Sequence, residues 1–497
     1  MLEFLQDDSI PYQKIILALS GGLFAFEQYL NIRQLPHLKL KVPPPSIAPY
    51  LVTADQDGST TQADKKGETT DKPTSALETF SKSQAYALDK VKYSMIAGVI
   101  DQLETWALLS PFVALYFSHD PLINTSKPTS GIASLWHLAI RLSHQWSQVA
   151  PKALNIGTGE IATSMFFVCL LSLTGMLTSV PSSLYKTFVL EEKHGFNKQT
   201  IGLWISDYIK TTFLSAFLGL PLIAAFLWTV RWAGEAFVQY VMMLIMGIVL
   251  FMYVGYPYLI APLFNKFRHL SDFPEYQEVK TRTEALAKRI NFPLGRLWVI
   301  DGSKRSAHSN AFFFGLPGFT KHIVLYDTLL KQSTPAEVEA VLAHELGHWK
   351  LNHTVLLLGS SQMQIALSLS TFRFFIWNAA LFHSFGVPAL AGASGQKYPL
   401  IIGFILAQSL FTPLNALLSF SSNALSRKLE FQADQFAADL GGDYPKDLKW
   451  ALVRISAENK ATTSCDWLYS AFHHSHPTLP ERLGRLGTES LKTKKAK

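Results

Sequence analysis

The chain has 497 residues, 48% of them hydrophobic and only 16% charged, with a mean hydropathy of +0.16 and a net charge of +7. A soluble domain carries about a quarter charged residues, so this composition points to a membrane protein. It excludes a nucleic-acid binder, since Lys and Arg form no stripe interleaved with aromatics, and it excludes a disulfide scaffold or cysteine metal site, since only Cys169 and Cys465 are present.

A helix needs about 20 mostly apolar residues to cross a bilayer. Seven stretches meet that length: 13–32, 94–117, 161–183, 211–231, 237–260, 354–377 and 399–421. No cleavable signal peptide precedes them, because Met1–Asp8 is acidic and has no basic n-region. Glu27 lies in the first stretch, Asp101 and Glu104 in the second and Arg373 in the sixth. Charges at membrane depth are costly and face a bundle interior or water, and Asp101 and Glu104 are spaced to share one helix face. A polar lumen is the expectation, although Glu27 can equally snorkel to the interface.

Between the first two stretches, VTADQDGSTTQADKKGETTDKPTS (52–75) has almost nothing to bury and reads as a solvated, disordered insertion spanning 43–80. Residues 131–150 place Leu135, Leu138 and Leu142 on one face. Two readings stand, an amphipathic helix lying in the membrane interface or a packed extramembrane helix. The loop 261–353 and the tail ending KTKKAK are basic, and seven crossings put both on one side, which the positive-inside rule makes the cytosol. The sequon at Asn124 then falls on the lumenal side, and the sequon at Asn352 does not. Lys494 and Lys495 are spaced like a dilysine retrieval signal of the endoplasmic reticulum.

The chemistry begins at VLAHELGHWK (341–350). His344 and His348 are one helical turn apart, so both imidazoles leave one face at a spacing that a single metal can bridge. Glu345 lies beside them, placed to take a proton from water at that metal. Thr334-Pro335 with Glu337 predicts the start of this helix. A catalytic zinc keeps three protein ligands and one open position. SRKLEFQADQFAADLG (426–441) supplies the third, with Glu430 as ligand and Asp434, one turn on, accepting a hydrogen bond from a ligand histidine. HSNAFFFGLPG (308–318) followed by KHIVLYDTLL (321–330) predicts a small β-hairpin, either a plain structural one or one whose edge pairs with an extended peptide. His476, before Pro477, is placed to donate to a developing oxyanion.

Taken in order, FEQYLNIRQ (26–34), YKTFVLEEKHGFNKQT (185–200), YPYLIAPLFNKF (256–267), HSNAFFFG, AHELGHWKLNH (343–353), SRKLEFQAD and HSHPTLPERL resemble the type I CAAX prenyl proteases. The resemblance covers nearly the whole chain. It implies an all-α integral membrane fold: seven helices around a large water-filled chamber, with a cytosolic-side zinc metalloprotease domain in two parts, 261–353 and 422–497. The first helix and its flank would occupy 1–42, helices two to five 81–260, and helices six and seven 354–421. The implied reaction is removal of the C-terminal tripeptide from prenylated CAAX proteins, with a second upstream cut in pheromone or prelamin type precursors. The resemblance assigns His344, His348 and Glu430 to one zinc ion, Glu345 to the general base and Asp434 to the family's motif aspartate. It places His308, Asn310 and His476 near the substrate. Expected partners are the prenylated peptide and membrane lipid, for a monomer in the endoplasmic reticulum membrane and also the inner nuclear membrane. The family's first cytosolic loop is short, so 43–78 stands out as an insertion. Two other functions compete: a quality-control protease for jammed membrane proteins, and a non-proteolytic scaffold with a structural zinc, which would need a fourth protein ligand and no Glu345.

Overall fold

The computed structural model describes residues 3–45, 47, 76–111, 130–152, 155–315, 320–390 and 398–495. The predicted disordered insertion, the end of the second expected span and the Asn124 sequon lie outside the described residues, apart from the insertion's two ends.

The first part is built from long helices. They are α1 (Tyr12–His37), α2 (Ala76–Leu109), α3 (Gly131–Val149), α4 (Glu160–Tyr185), α5 (Ile201–Ala233) and α6 (Phe237–Gly255). Among the described residues, four helical runs are long and apolar enough to cross a membrane, or five if the bent pair Leu400–Leu410 and Thr412–Asp439 counts as one. One of the four, Ile201–Leu263, runs for 63 residues. Straight, it would extend about 95 Å, three times the bilayer core. Instead the chain turns at Gly234, whose φ of +53° suits glycine, and α5 and α6 pack on each other. The expected stretches 211–231 and 237–260 are therefore two helices of one hairpin. α2 is not among the qualifying runs.

Of the two readings of residues 131–150, the packed helix fits α3, in which Leu135, Leu138 and Leu142 are only half-buried. Its buried face is Ile132, Trp136, Ala139 and Ser143, packed into the main bundle core, with Trp136 edge-on to Phe167 of α4 at 5.8 Å. Small polar groups made that face look hydrophilic, yet the Ser143 and Thr163 hydroxyls hydrogen-bond across the helix pair at 3.2 Å. Arg373, in the sixth expected span, pairs with Glu235 in the α5–α6 turn, and both are exposed. Glu104 does meet a polar partner between helices, accepting from the Thr178 hydroxyl at 2.8 Å.

The second part holds a sheet. β1 (Phe267–His269), α7 (Gln277–Ile290), β2 (Leu294–Ile300), β3 (Ala311–Phe314) and β4 (Lys321–Tyr326) come first. The strand order is β1-β2-β4-β3, with β2 parallel to β4 and the other pairs antiparallel. The predicted hairpin is present as β3–β4, with Phe312 opposite Val324, but it is half of a four-stranded sheet. The apolar alternation predicted a strand to 330, whereas the chain leaves the sheet at Asp327 for α8 (Asp327–Gln332). The acid in that helix's first turn favours the change.

The remaining helices are α9 (Pro335–Lys350), α10 (His353–Phe372), α11 (Ala379–Ser384), α12 (Leu400–Leu410), α13 (Thr412–Asp439), α14 (Tyr444–Glu458), α15 (Trp467–His473) and α16 (Leu479–Lys495). A second core of Val279, Leu297, Ile323, Val338, Leu342 and Leu346 joins α7, the sheet and α9. It also takes Ala437 of α13 and Leu486 of α16, so residues on both sides of the α10–α12 membrane segment share one interior.

Candidate metal centre

α9 starts where the sequence says. The Thr334 hydroxyl accepts from the Glu337 amide at 3.3 Å, and the Glu337 carboxylate accepts from the Thr334 amide at 2.8 Å, a reciprocal capping box. Pro335 occupies the first turn, where its missing N–H costs nothing. Val338, Leu342 and Leu346 bury the far face, which fixes the rotation of the helix and turns His344 and His348 towards α13.

α13 leaves α12 at a 67° bend, with Pro413 in its first turn. Most of it is exposed or half-buried; its buried residues are Leu429, Glu430, Ala433, Asp434 and Ala437, on the face against α9. Gly347 allows this approach, because a Cβ there would lie 3.0 Å from the Phe436 ring and 3.3 Å from the Ala433 backbone.

The two helices bring His344, His348 and Glu430 together, with one ligand atom from each within 4.8 Å of the others. His344 Nε2 lies 3.2 Å from His348 Nε2 and 3.5 Å from Glu430 Oε2, while His348 Nε2 is 3.3 Å from Glu430 Oε1. A tetrahedral ion with bonds of about 2.1 Å separates its ligand atoms by about 3.4 Å, so these edges have the size of a zinc polyhedron. Glu430 Oε2 is buried with no aligned hydrogen bond, although His476 Nδ1 stands 3.0 Å away. Burial and nearby Arg482 pull His344 down, but Asp434 and Glu430 outweigh them and hold its imidazole up at about 9. Burial likewise works against the charge on Glu430, yet His344, His348 and His476 keep it below the usual carboxylate range. An anionic pocket that binds a proton where a metal's charge would go fits a divalent cation.

Each histidine is also held from behind. His344 Nδ1 lies 2.9 Å from Asp434 Oδ1, and Asp434 receives Arg482 through both oxygens, at 2.8 and 2.5 Å. Arg482 also lies 3.3 Å from His344 Nδ1, but that nitrogen cannot both accept from Arg482 and donate to Asp434. The shorter contact to a carboxylate fixes Nδ1–H as the donor. His348 Nδ1 meets His353 Nδ1 at 2.9 Å. Arg482 and His353 are missing from the sequence reading. Both stand within quoted segments, His353 in AHELGHWKLNH and Arg482 in HSHPTLPERL, but no spacing ties Arg482 to Asp434, 48 positions earlier.

Glu345 is half-buried and makes no hydrogen bond or ion pair among the described residues. Burial pushes its carboxyl up, against the pull of both histidines. His476 sits at the mouth of the cluster with its side chain 67% exposed. Asn310 is exposed, immediately before edge strand β3, with its backbone oxygen accepting from the Tyr326 amide. His308 stacks its ring on Phe196 at 4.1 Å and its Nδ1 meets Asn459 at 3.0 Å, with the side chain 40% exposed.

Residues 70–266 match the family model described as CAAX prenyl protease N-terminal, five membrane helices, and residues 275–490 match peptidase family M48. A CAAX prenyl protease 1 homolog of Arabidopsis thaliana is 37% identical over 98% of this chain and 100% of the relative. CAAX prenyl protease 1 of Saccharomyces cerevisiae is 36% identical over 99% and 98%. The crystal structure of S. mikatae Ste24p superimposes with a TM-score of 0.78 at 35% identity, covering 96% of this chain and 99% of that one. The membrane helices, the histidine–glutamate cluster and end-to-end similarity thus converge: the chain belongs to the CAAX prenyl protease 1 family within peptidase family M48.

Proposed function

We propose that this protein is a zinc metalloendopeptidase of the endoplasmic reticulum membrane that removes the C-terminal tripeptide from prenylated CAAX proteins. The observation that carries this reading is the buried His344–His348–Glu430 cluster beside an unpartnered Glu345, in a chain similar over its full length to proteins named CAAX prenyl proteases. Three ligands with an adjacent free carboxylate suit a catalytic site, whereas a structural zinc would close with a fourth.

His344, His348 and Glu430 would hold one zinc ion, which when bound supplies Lewis acidity towards the scissile carbonyl and acidifies water in its open position. Glu345 takes the water's proton at its carboxylate and passes it to the departing amide nitrogen. Asp434, with both oxygens committed to His344 and Arg482, acts by orienting His344. His476, at the open mouth, is placed to donate to the oxyanion. The open edge of β3 receives the peptide backbone, with Asn310 at one end, and His308 supports that strand.

The bundle is proposed to have seven spans around a water-filled chamber, and polar side chains between its helices support the chamber. Glu27, Gln408, Ser409, Asn415 and Ser419 line a cavity of about 400 Å³. The protein works as a monomer on substrates that arrive with their lipid in the bilayer. The test is hydrolysis of a synthetic prenylated CAAX peptide by the purified protein. Turnover should stop with a chelator and return with added zinc. Persistence in chelator would sink the metal reading, and equal cleavage of every unfolded peptide offered would favour a quality-control role.

A further inference from the structure

β3 is an edge strand, hydrogen-bonded within the sheet to β4 alone. A peptide that adds to its free edge gains slightly more from antiparallel than from parallel pairing. Antiparallel pairing fixes direction: the substrate's C-terminal residues lie towards Ala311 and Asn310, and its upstream residues lie towards Phe313 and Phe314. At the Phe313 end opens a cleft of about 400 Å³. Leu250 and Tyr253 of α6, Val355 and Leu358 of α10, Phe313 and the metal-cluster residue His348 line it.

We infer that this cleft is the subsite for the isoprenoid of the substrate. The inference rests on the reaction proposed above. In that reaction the bond cut is the one following the lipid-bearing cysteine, so the lipid must begin beside the metal. The cleft meets this condition, because His348 belongs both to its wall and to the ligand cluster. Its lining is chiefly apolar, and its size falls in the roughly 300–1,000 Å³ range of small-molecule sites. Two of its walls are helices from membrane-crossing runs, and Leu250 and Val355 are 49% and 55% exposed. An isoprenoid chain can therefore pass from the bilayer into the cleft without crossing water. The direction expected of antiparallel pairing and the observed position of the cleft are independent, and they agree.

The experiment uses the zinc-loaded full chain in lipid nanodiscs. Two peptides ending in the same CAAX sequence are compared, one farnesylated and one with a free cysteine. Leu358→Trp fills the cleft and Leu358→Ala widens it; neither touches a ligand or Glu345. For Leu358→Trp, KM for the farnesylated peptide should rise about tenfold with kcat little changed, while the free-cysteine peptide is unaffected. Leu358→Ala should raise KM for the farnesylated peptide less and favour a longer geranylgeranyl chain. Zinc content and thermal midpoint confirm that each variant is folded, and the Ala variant decides if the Trp variant is not. Parallel changes for both peptides, or no change for either, overturn the subsite while the reaction stands. A wild-type protein that cuts neither peptide overturns the reaction itself.

Discussion

At the scale of residues, Glu345 and Arg482 separate chemistry from support. Glu345→Gln keeps every ligand and every neighbour, so zinc content should be unchanged while turnover falls by about 10²–10⁴. Glu430→Ala should lose both metal and activity. Full metal content in Glu430→Ala would move the third ligand elsewhere, with Asp434 first in line. Arg482 touches no ligand oxygen as closely as it touches Asp434, and both are buried. Arg482→Met leaves the buried Asp434 carboxylate with His344 as its one partner among the described residues, and His344 less firmly oriented. Zinc affinity should drop about 10–100-fold, measured by competition with a chelator, with a lowered thermal midpoint. His344, His348, Glu430 and Asp434 were all legible in the sequence, because each sits at helical spacing from a partner of complementary chemistry. Arg482 was not, because no local pattern links it to a carboxylate 48 positions away.

At the scale of elements, the site depends on how closely α9 and α13 approach. Gly347→Val would place atoms where the Ala433 backbone and Phe436 ring already stand, and a backbone cannot give way like a flexible side chain. The variant should fold with reduced zinc content and activity although it removes no ligand, as read by metal analysis and peptide hydrolysis. A variant with wild-type zinc content would show that the helices can part without disturbing the cluster. The start of α9 was legible through its capping box, and the β3–β4 hairpin through its apolar alternation. β1 and β2 were not: three residues make no period, and Gly295 and Arg296 break the alternation of the other. The face of α3 was misjudged for a different reason. Serine and threonine count as polar in a periodicity, but between membrane helices they pack closely and hydrogen-bond across the contact.

At the scale of the whole molecule, orientation is the testable property. Asn352 begins a sequon at the junction of α9 and α10, in the left-handed conformation with φ +57°, and it lines the cleft beside His348. From charge bias we propose that this end of the molecule faces the cytosol. Asn352→Gln should therefore cause no loss of glycan-dependent mass in cells that glycosylate membrane proteins. Any endoglycosidase-sensitive shift that this substitution removes would invert the proposed orientation. Apolar runs in the sequence located α1, α4, α5, α6 and α10, but the run 94–117 overlaps only the second half of α2 among the described residues, and 399–421 is broken by the 67° bend between α12 and α13. Their number of crossings is harder to read, since α5 and α6 form one continuous helical run interrupted only at Gly234.

The ligands lie on both sides of α10, α11 and α12 in the chain, and Arg482 comes later still. A ribosome therefore releases His344 and His348 well before it has made Glu430, and the helices between them must enter the bilayer first. On the proposed ligand set, the histidine pair alone would lack its third ligand during synthesis and could not cut. Hydrolytic competence would then arrive late in biogenesis, after insertion is finished, so a half-made protease would pose little danger to the membrane proteins assembling around it.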